Sequence, residues 1–281
     1  MTNTSLEVGV YHGQLMPWSN AVILCSARNA LLIDTQFQKT DARDLLEQVR
    51  ATNRPLKSIL LTHSHPDHVW GAAELLKAYP DAVVYAREPV AIEIDLEFRA
   101  RQLRWTEMLT DEIPAALFDI EPLTGDAFDF DGHSIDIIDL KPAETIHATA
   151  FYLPDSKTYI SGDQIYNRCH FYIGGGLNRP ELWIESINDV TERFDIQRLI
   201  PGHGAVGATE IIERAIEYLE YYADVAGPLV PQPKIIEAML ERFPDYKMEG
   251  VLYLTRGPAM TSPTILKQTG GKLSFGRGRV V

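Results

Sequence analysis

The chain has 281 residues, 45% of them hydrophobic and 23% charged, proportions that suit one large soluble domain or one domain with an appendage. Its 26 basic and 39 acidic side chains leave a net charge of −13, which argues against nucleic acid as a partner. No apolar run approaches the length of a membrane span, and Met1–Val10 has neither the basic nor the apolar region of a leader. Two cysteines without C-x-x-C spacing, Cys25 and Cys169, argue against a disulfide framework and for a reducing cytoplasm.

In chain order, β-rich runs come first: Leu6 to Tyr11, Ala21 to Ser26 and Ala30 to Asp34. Leu45, Leu46 and Val49 stand at helical spacing within Asp41 to Ala51. A fourth strand, Ile59 to His63, leads into a helical stretch from Val69 to Tyr79, and a fifth covers Ala82 to Ala86. Glu88 to Phe118 then reads as a mostly helical insertion carrying Phe98, Leu103, Trp105, Met108 and Leu109. As a functional element it is a lid or apolar wall of a substrate pocket; as a structural one it covers the sheet or forms a homodimer contact.

The second half repeats the theme. Ser134 to Leu140, Thr149 to Leu153 and Thr158 to Ser161 read as strands, Pro180 to Phe194 as a helix, and Arg198 to Ile200 as a strand. Two helices follow over Thr209 to Phe243, broken by Gly227-Pro228 and Pro231-Gln232-Pro233, and residues 262–281 form a basic, glycine-rich tail read as a solvated terminus. Strands interleaved with helices and no dividing linker predict a single α/β layered domain over 1–281.

The chemistry concentrates in Thr62-His63-Ser64-His65-Pro66-Asp67-His68, which follows the apolar run Ser58-Ile59-Leu60-Leu61. His63 and His65 stand two apart, so extended backbone points them the same way. Asp67 and His68 come after a proline that breaks the strand. Imidazole nitrogen and carboxylate oxygen suit zinc and its neighbours, and four such groups can hold two ions.

These residues resemble the H-x-H-x-D-H signature of the metallo-β-lactamase superfamily. Leu31-Leu32-Ile33-Asp34-Thr35, Ser161-Gly162-Asp163 and Ile200-Pro201-Gly202-His203-Gly204 resemble its other landmarks, in order. The resemblance implies a four-layer αββα sandwich with a dinuclear site along one edge of two sheets, plus the helical insertion and C-terminal helices. It also implies that His63 and His65 bind a first metal, Asp67, His68 and His203 a second, and that Asp163 bridges them. The expected cofactor is two zinc ions per chain, with iron or manganese compatible with the same ligands.

One departure affects the first position. Where the family reads G-H-T, this chain reads Pro142-Ala143-Glu144-Thr145-Ile146-His147. Either Glu144 or His147 completes the site; His147 is preferred because imidazole preserves the expected chemistry, and the first position is open to partial occupancy. Asp34 is expected to orient a ligating imidazole. His170 faces substrate, supports the site from behind, or is an ordinary surface histidine.

A metal-bridged water near neutral pH implies hydrolysis of a small molecule, with Asp67 in a general acid–base role. Tyr166, three residues after Asp163, resembles the tyrosine of N-acyl-homoserine lactonases and would hydrogen-bond a developing oxyanion; packing beneath the sheet edge is the alternative. The reading is therefore a hydrolase of an ester, lactone or thioester with an apolar acyl group. An iron-dependent sulfur dioxygenase, a β-lactamase and a binding protein with a degenerate site are the alternatives.

Overall fold

The computed structural model describes residues 6–173, 178–227 and 229–254. The first sheet runs β1 (Glu7–His12), β2 (Asn20–Cys25), β3 (Ala30–Ile33), β4 (Leu56–Leu60), β5 (Val83–Ala86) and β6 (Glu121–Pro122), in spatial order β1-β2-β3-β4-β5-β6. Its first three strands are antiparallel and the rest parallel. The connections of the parallel part carry α1 (Lys39–Ala51), the single turn α2 (Pro66–Val69), α3 (Ala72–Ala78) and α4 (Glu88–Leu109).

A second sheet has the order β12-β10-β9-β8-β7, built from β7 (Ala127–Phe130), β8 (His133–Asp139), β9 (Thr149–Leu153), β10 (Thr158–Ile160) and β12 (Arg198–Ile200). Two short strands, β11 (Tyr166–Asn167) and β13 (His203–Gly204), pair in parallel beside it. The helices α5 (Pro180–Arg193), α6 (Glu210–Val225) and α7 (Gln232–Arg242) lie in this half.

Period-two alternation decides the layering. In β2, Val22 and Leu24 join Leu31, Ile33, Leu60, Phe151, Leu153 and Ile200 in a cluster drawn from both sheets. Ala21, Ile23 and Cys25 point the other way and meet Leu45, Val49, Leu75 and Val90 of the first helices. The outer face of the second sheet, with Ala150, Tyr152 and Tyr159, meets Trp183, Ile187, Tyr218 and Met239. Helices on both outer faces and a shared inner core make the expected αββα sandwich.

The insertion is largely a cover for the first sheet. Val90 and Ile94 are buried, and Phe98, Trp105 and Leu109 pack on the same cluster at helical spacing. Phe37 sits against Trp70 at 5.4 Å and Trp105 at 5.0 Å. Leu96 and Leu103 of α4 face solvent, 74% and 59% exposed. The expected tail 262–281 lies outside the described residues. No helix among the described residues is long and apolar enough to cross a membrane.

Candidate metal centre

The backbone delivers the ligands from four places at one edge of the sandwich. The fourth strand ends at Leu60, three residues short of the expected His63, because side chains replace the ladder there. Thr62 donates from its amide and its hydroxyl to the two Asp34 oxygens, at 2.8 and 2.7 Å. His63 and His65 lie in the turn that follows, their ring centroids 4.7 Å apart. His65 is the extended residue before α2, whose first position is Pro66, so Asp67 and His68 fall in one helical turn. Asp163 sits in the turn Gly162–Gln164 after β10, and His203 opens β13. Glu144 comes from the loop between β8 and β9.

Two candidate ligand sets result among the described residues. His63, His65, Glu144 and Asp163 form one, and Asp67, His68, Asp163 and His203 the other, the ligand atoms of each lying within 4.8 Å of one another. Asp163 belongs to both. Its Oδ1 is 3.1 Å from His68 Nε2, and its Oδ2 is 3.2 Å from His203 Nε2 and 3.7 Å from His63 Nε2. Asp67 Oδ2 lies 3.4 Å from both His68 Nε2 and His203 Nε2. Four buried polar atoms facing this space have no hydrogen-bond partner: His63 Nε2, His68 Nε2, Glu144 Oε2 and Asp163 Oδ1. Converging, buried and unsatisfied N and O donors are what a divalent cation requires, so the residues fit the expected group.

The imidazoles are oriented from behind. Nδ1 of His68 bonds Asp34 Oδ2 at 2.8 Å, Nδ1 of His63 meets Thr62 Oγ1 at 2.9 Å, and Nδ1 of His203 donates to the Pro17 carbonyl at 3.0 Å. Each bond leaves Nε2 for the site. Asp34 thus orients the His68 imidazole and fixes the strand end, from a left-handed backbone with φ of 60° that aspartate tolerates better than most residues.

The first position corrects the preference for His147. That side chain is 46% exposed and lies 3.8 Å from Glu93, outside both sets, while Glu144 is 2% exposed and inside. Tyr166 is 2% exposed, and its hydroxyl lies 2.9 Å from Glu144 Oε1 and 2.8 Å from Asp163 Oδ2. His170 is fully buried, so the ordinary surface histidine is excluded; Nδ1 meets the Tyr218 hydroxyl at 3.0 Å and Nε2 has no partner.

Two further residues escaped sequence reasoning. Asn20 donates to the carbonyls of Pro201 and Gly204, both at 2.8 Å, and so fixes the loop that carries His203. Arg101 of α4 donates to the Ser64 carbonyl between the two histidines, tying the insertion to the ligand loop. Neither has a local signal, because each contact joins segments far apart in sequence.

Without a metal, protons balance the acids. Burial alone would lower His68 and His203, but Asp163 and Asp67 outweigh it, holding His68 well above its usual range and His203 at about 9. Burial pushes Glu144 well above the carboxylate range, and the Asp163 charge adds to it. Burial would also raise Asp67 and Asp163, yet the neighbouring imidazolium charges hold both below it. Burial lowers His63 well below its usual value and His65 to about 3, leaving both free to ligate. Metal uptake therefore competes with protons.

His170 yields an independent test. Burial lowers it from 6.5 to about 4, so the unfolded chain binds its proton more tightly than the folded one. Stability from this residue is whole above about pH 6.5 and is lost as pH falls towards about 4, on the order of 3 kcal/mol. His170→Gln keeps a hydrogen-bonding group and cannot titrate, so its urea-unfolding free energy should fall less steeply over that interval than the parent's. Parallel curves would show that His170 does not titrate there.

The family model described as the metallo-beta-lactamase superfamily matches residues 19–205. A hydroxyacylglutathione hydrolase of Roseobacter denitrificans is 26% identical over 125 residues, covering 44% of this chain and 40% of that protein. An atrochrysone carboxyl ACP thioesterase of Claviceps purpurea is 25% identical over 193 residues, covering 68% of this chain and 51% of that protein. The chain thus spans about half, or less, of the length of these two relatives. Among solved structures, a metallo-beta-lactamase from Pontibacter korlensis aligns with a TM-score of 0.61 at 19% identity, over 77% of this chain and 99% of that one. The metallo-beta-lactamase FIM-1 of Pseudomonas aeruginosa aligns at 0.55 and 20% identity, over 76% and 90%. At such identity these two establish the fold alone.

Proposed function

The chain belongs to the metallo-β-lactamase superfamily, and from that membership and the site geometry we propose that it is a dinuclear metallo-hydrolase cleaving a small acyl thioester or ester. The observation that carries the proposal is the pair of four-membered ligand sets sharing Asp163. His63, His65, Glu144 and Asp163 would hold one divalent ion, zinc in this reading, and Asp67, His68, Asp163 and His203 the other. Bound there, such ions supply an acidified water and Lewis-acid polarisation of a carbonyl.

The protein's own part is positional. Asp34, Thr62 and the Pro17 carbonyl fix the imidazole faces, and the buried edge excludes bulk water from His63, His68 and His203. Asp67 is the less enclosed carboxylate of the second set, 13% exposed at its side chain, and its Oδ2 lies 3.4 Å from both His68 Nε2 and His203 Nε2, where it would face the second ion.

The thioester is favoured over the lactone because the relatives with curated names are a hydroxyacylglutathione hydrolase and a carrier-protein thioesterase. An acyl glutathione, a longer acyl thioester, an acyl-homoserine lactone, an aryl ester and a cephalosporin, compared under one set of conditions, test this. A thioester should lead in kcat/KM by at least about tenfold, a difference of roughly 1.4 kcal/mol. A lead by the cephalosporin, or oxygen uptake with a persulfide by iron-loaded protein, would overturn the proposal.

A further inference from the structure

We propose that Tyr166 is a positioning residue of the metal centre: it ties Glu144 Oε1 and thereby presents Oε2 as the third protein ligand of the first position. The inference deepens, and rests on, the dinuclear reading above.

Glu144 reaches the centre from an irregular loop, whereas Asp163 sits in a tight turn. A carboxylate on a loop has more torsional freedom than an imidazole fixed through Nδ1, and it needs an external hold to keep one oxygen on a metal. The Tyr166 hydroxyl is that hold, 2.9 Å from Glu144 Oε1. The other oxygen, Oε2, is buried without a partner and lies 3.8 Å from His63 Nε2, while Oε1 also lies 3.5 Å from His65 Nδ1, so both oxygens border the first set and the hydroxyl engages one of them. The same hydroxyl is 2.8 Å from Asp163 Oδ2, so one phenol spans the loop ligand and the shared ligand. A phenol has one proton to donate, and it serves whichever carboxylate oxygen a cation does not already engage.

The ring cannot swing out to a substrate without dismantling its surroundings. It stacks on Phe171 at 4.7 Å and 17°, meets Trp183 edge-on at 6.4 Å and lies 4.7 Å from His203. Only 2% of the residue is exposed. The oxyanion role expected for Tyr166 requires its hydroxyl to face substrate; here it faces two ligand carboxylates.

The exchange of imidazole for carboxylate gives the Tyr166 hydroxyl a second carboxylate to meet. Glu144 gives the first set two imidazoles and two carboxylates, the same composition as the second. The added acid is buried beside Asp163, and like charges at that range repel. A donor between them relieves the repulsion and fixes which oxygens face the ions. Removing such a hydrogen bond behind a ligand typically costs 10- to 100-fold in metal affinity.

Metal content by elemental analysis and stepwise zinc titration calorimetry test this directly. Wild type should hold two ions. Tyr166→Phe, which deletes one oxygen and keeps the ring packing, should weaken the step that depends on Glu144 by about 10- to 100-fold and the other step less, since the hydroxyl also reaches the shared Asp163. Glu144→Gln should abolish that same step. Glu144→His should restore two ions, and in its background Tyr166→Phe should cost less than about threefold, since the carboxylate it served is gone. Two unchanged steps in Tyr166→Phe overturn the proposal, as does a loss of turnover in that variant with metal content intact, the signature of a substrate contact. Equal weakening of both steps would mark a general structural defect and also overturn it. Wild-type protein holding fewer than two ions would defeat the dinuclear reading, and this inference with it.

Discussion

Asp163→Ala should empty both metal positions at once and lower kcat/KM by at least about a thousandfold, roughly 4 kcal/mol of transition-state stabilisation. Among the described residues, no other side chain belongs to both candidate ligand sets. Its two oxygens are divided between them, Oδ1 towards His68 and Oδ2 towards His203 and His63. Removing it also leaves the His68 and His203 imidazoliums without the charge that contributes most to raising them, so both rings release protons more readily. Asp67→Ala and His68→Ala are the graded controls. Each should lose only the second ion, with at least about a hundredfold loss of turnover. Elemental analysis beside steady-state kinetics makes the comparison. Wild-type turnover in Asp163→Ala would remove the basis for a bridged centre.

The sandwich was legible in the sequence wherever burial imposes a period. Thr149–Leu153 and Arg198–Ile200 have the bounds that apolar pattern alone suggests. Two-residue strands such as β11 and β13 are too short to carry a period, yet they bring Tyr166 beside His203. Six of the candidate ligands could be taken from motifs, because H-x-H-x-D-H, S-G-D and P-G-H-G are local in sequence. Glu144 could not. It reaches the site from a loop with no periodicity, and preference by ligand type pointed to His147, which the backbone turns outward. Distance in sequence hid Asn20 as well, since its partners Pro201 and Gly204 lie more than 180 residues away.

That loop offers the sharpest test of positioning, because Gly202→Ala should disable the centre without altering a single ligand. The amide of Gly202 donates to the Gly162 carbonyl at 2.8 Å, packing the His203 loop directly onto the turn that carries Asp163. A methyl group at Gly202 would stand 1.9 Å from Asp163 Oδ1 and 2.8 Å from the Gly162 carbonyl carbon and oxygen. No rotamer of a neighbour relieves that, since two of the three contacts are backbone. Either the shared carboxylate leaves its place between His68 and His203, or the whole 201–204 loop moves and takes His203 with it. An overpacked contact of this kind typically costs 1–3 kcal/mol of stability, but the larger effect should fall on function. Displacement of about an ångström at a shared ligand is enough for a loss of about a hundredfold in turnover. The expected result is a protein that still unfolds cooperatively, holds less than one metal ion per chain and turns over at least about a hundredfold more slowly. Normal metal content and turnover in Gly202→Ala would show that the loop yields freely, and that contact between Gly202 and Asp163 does not set the geometry of the centre.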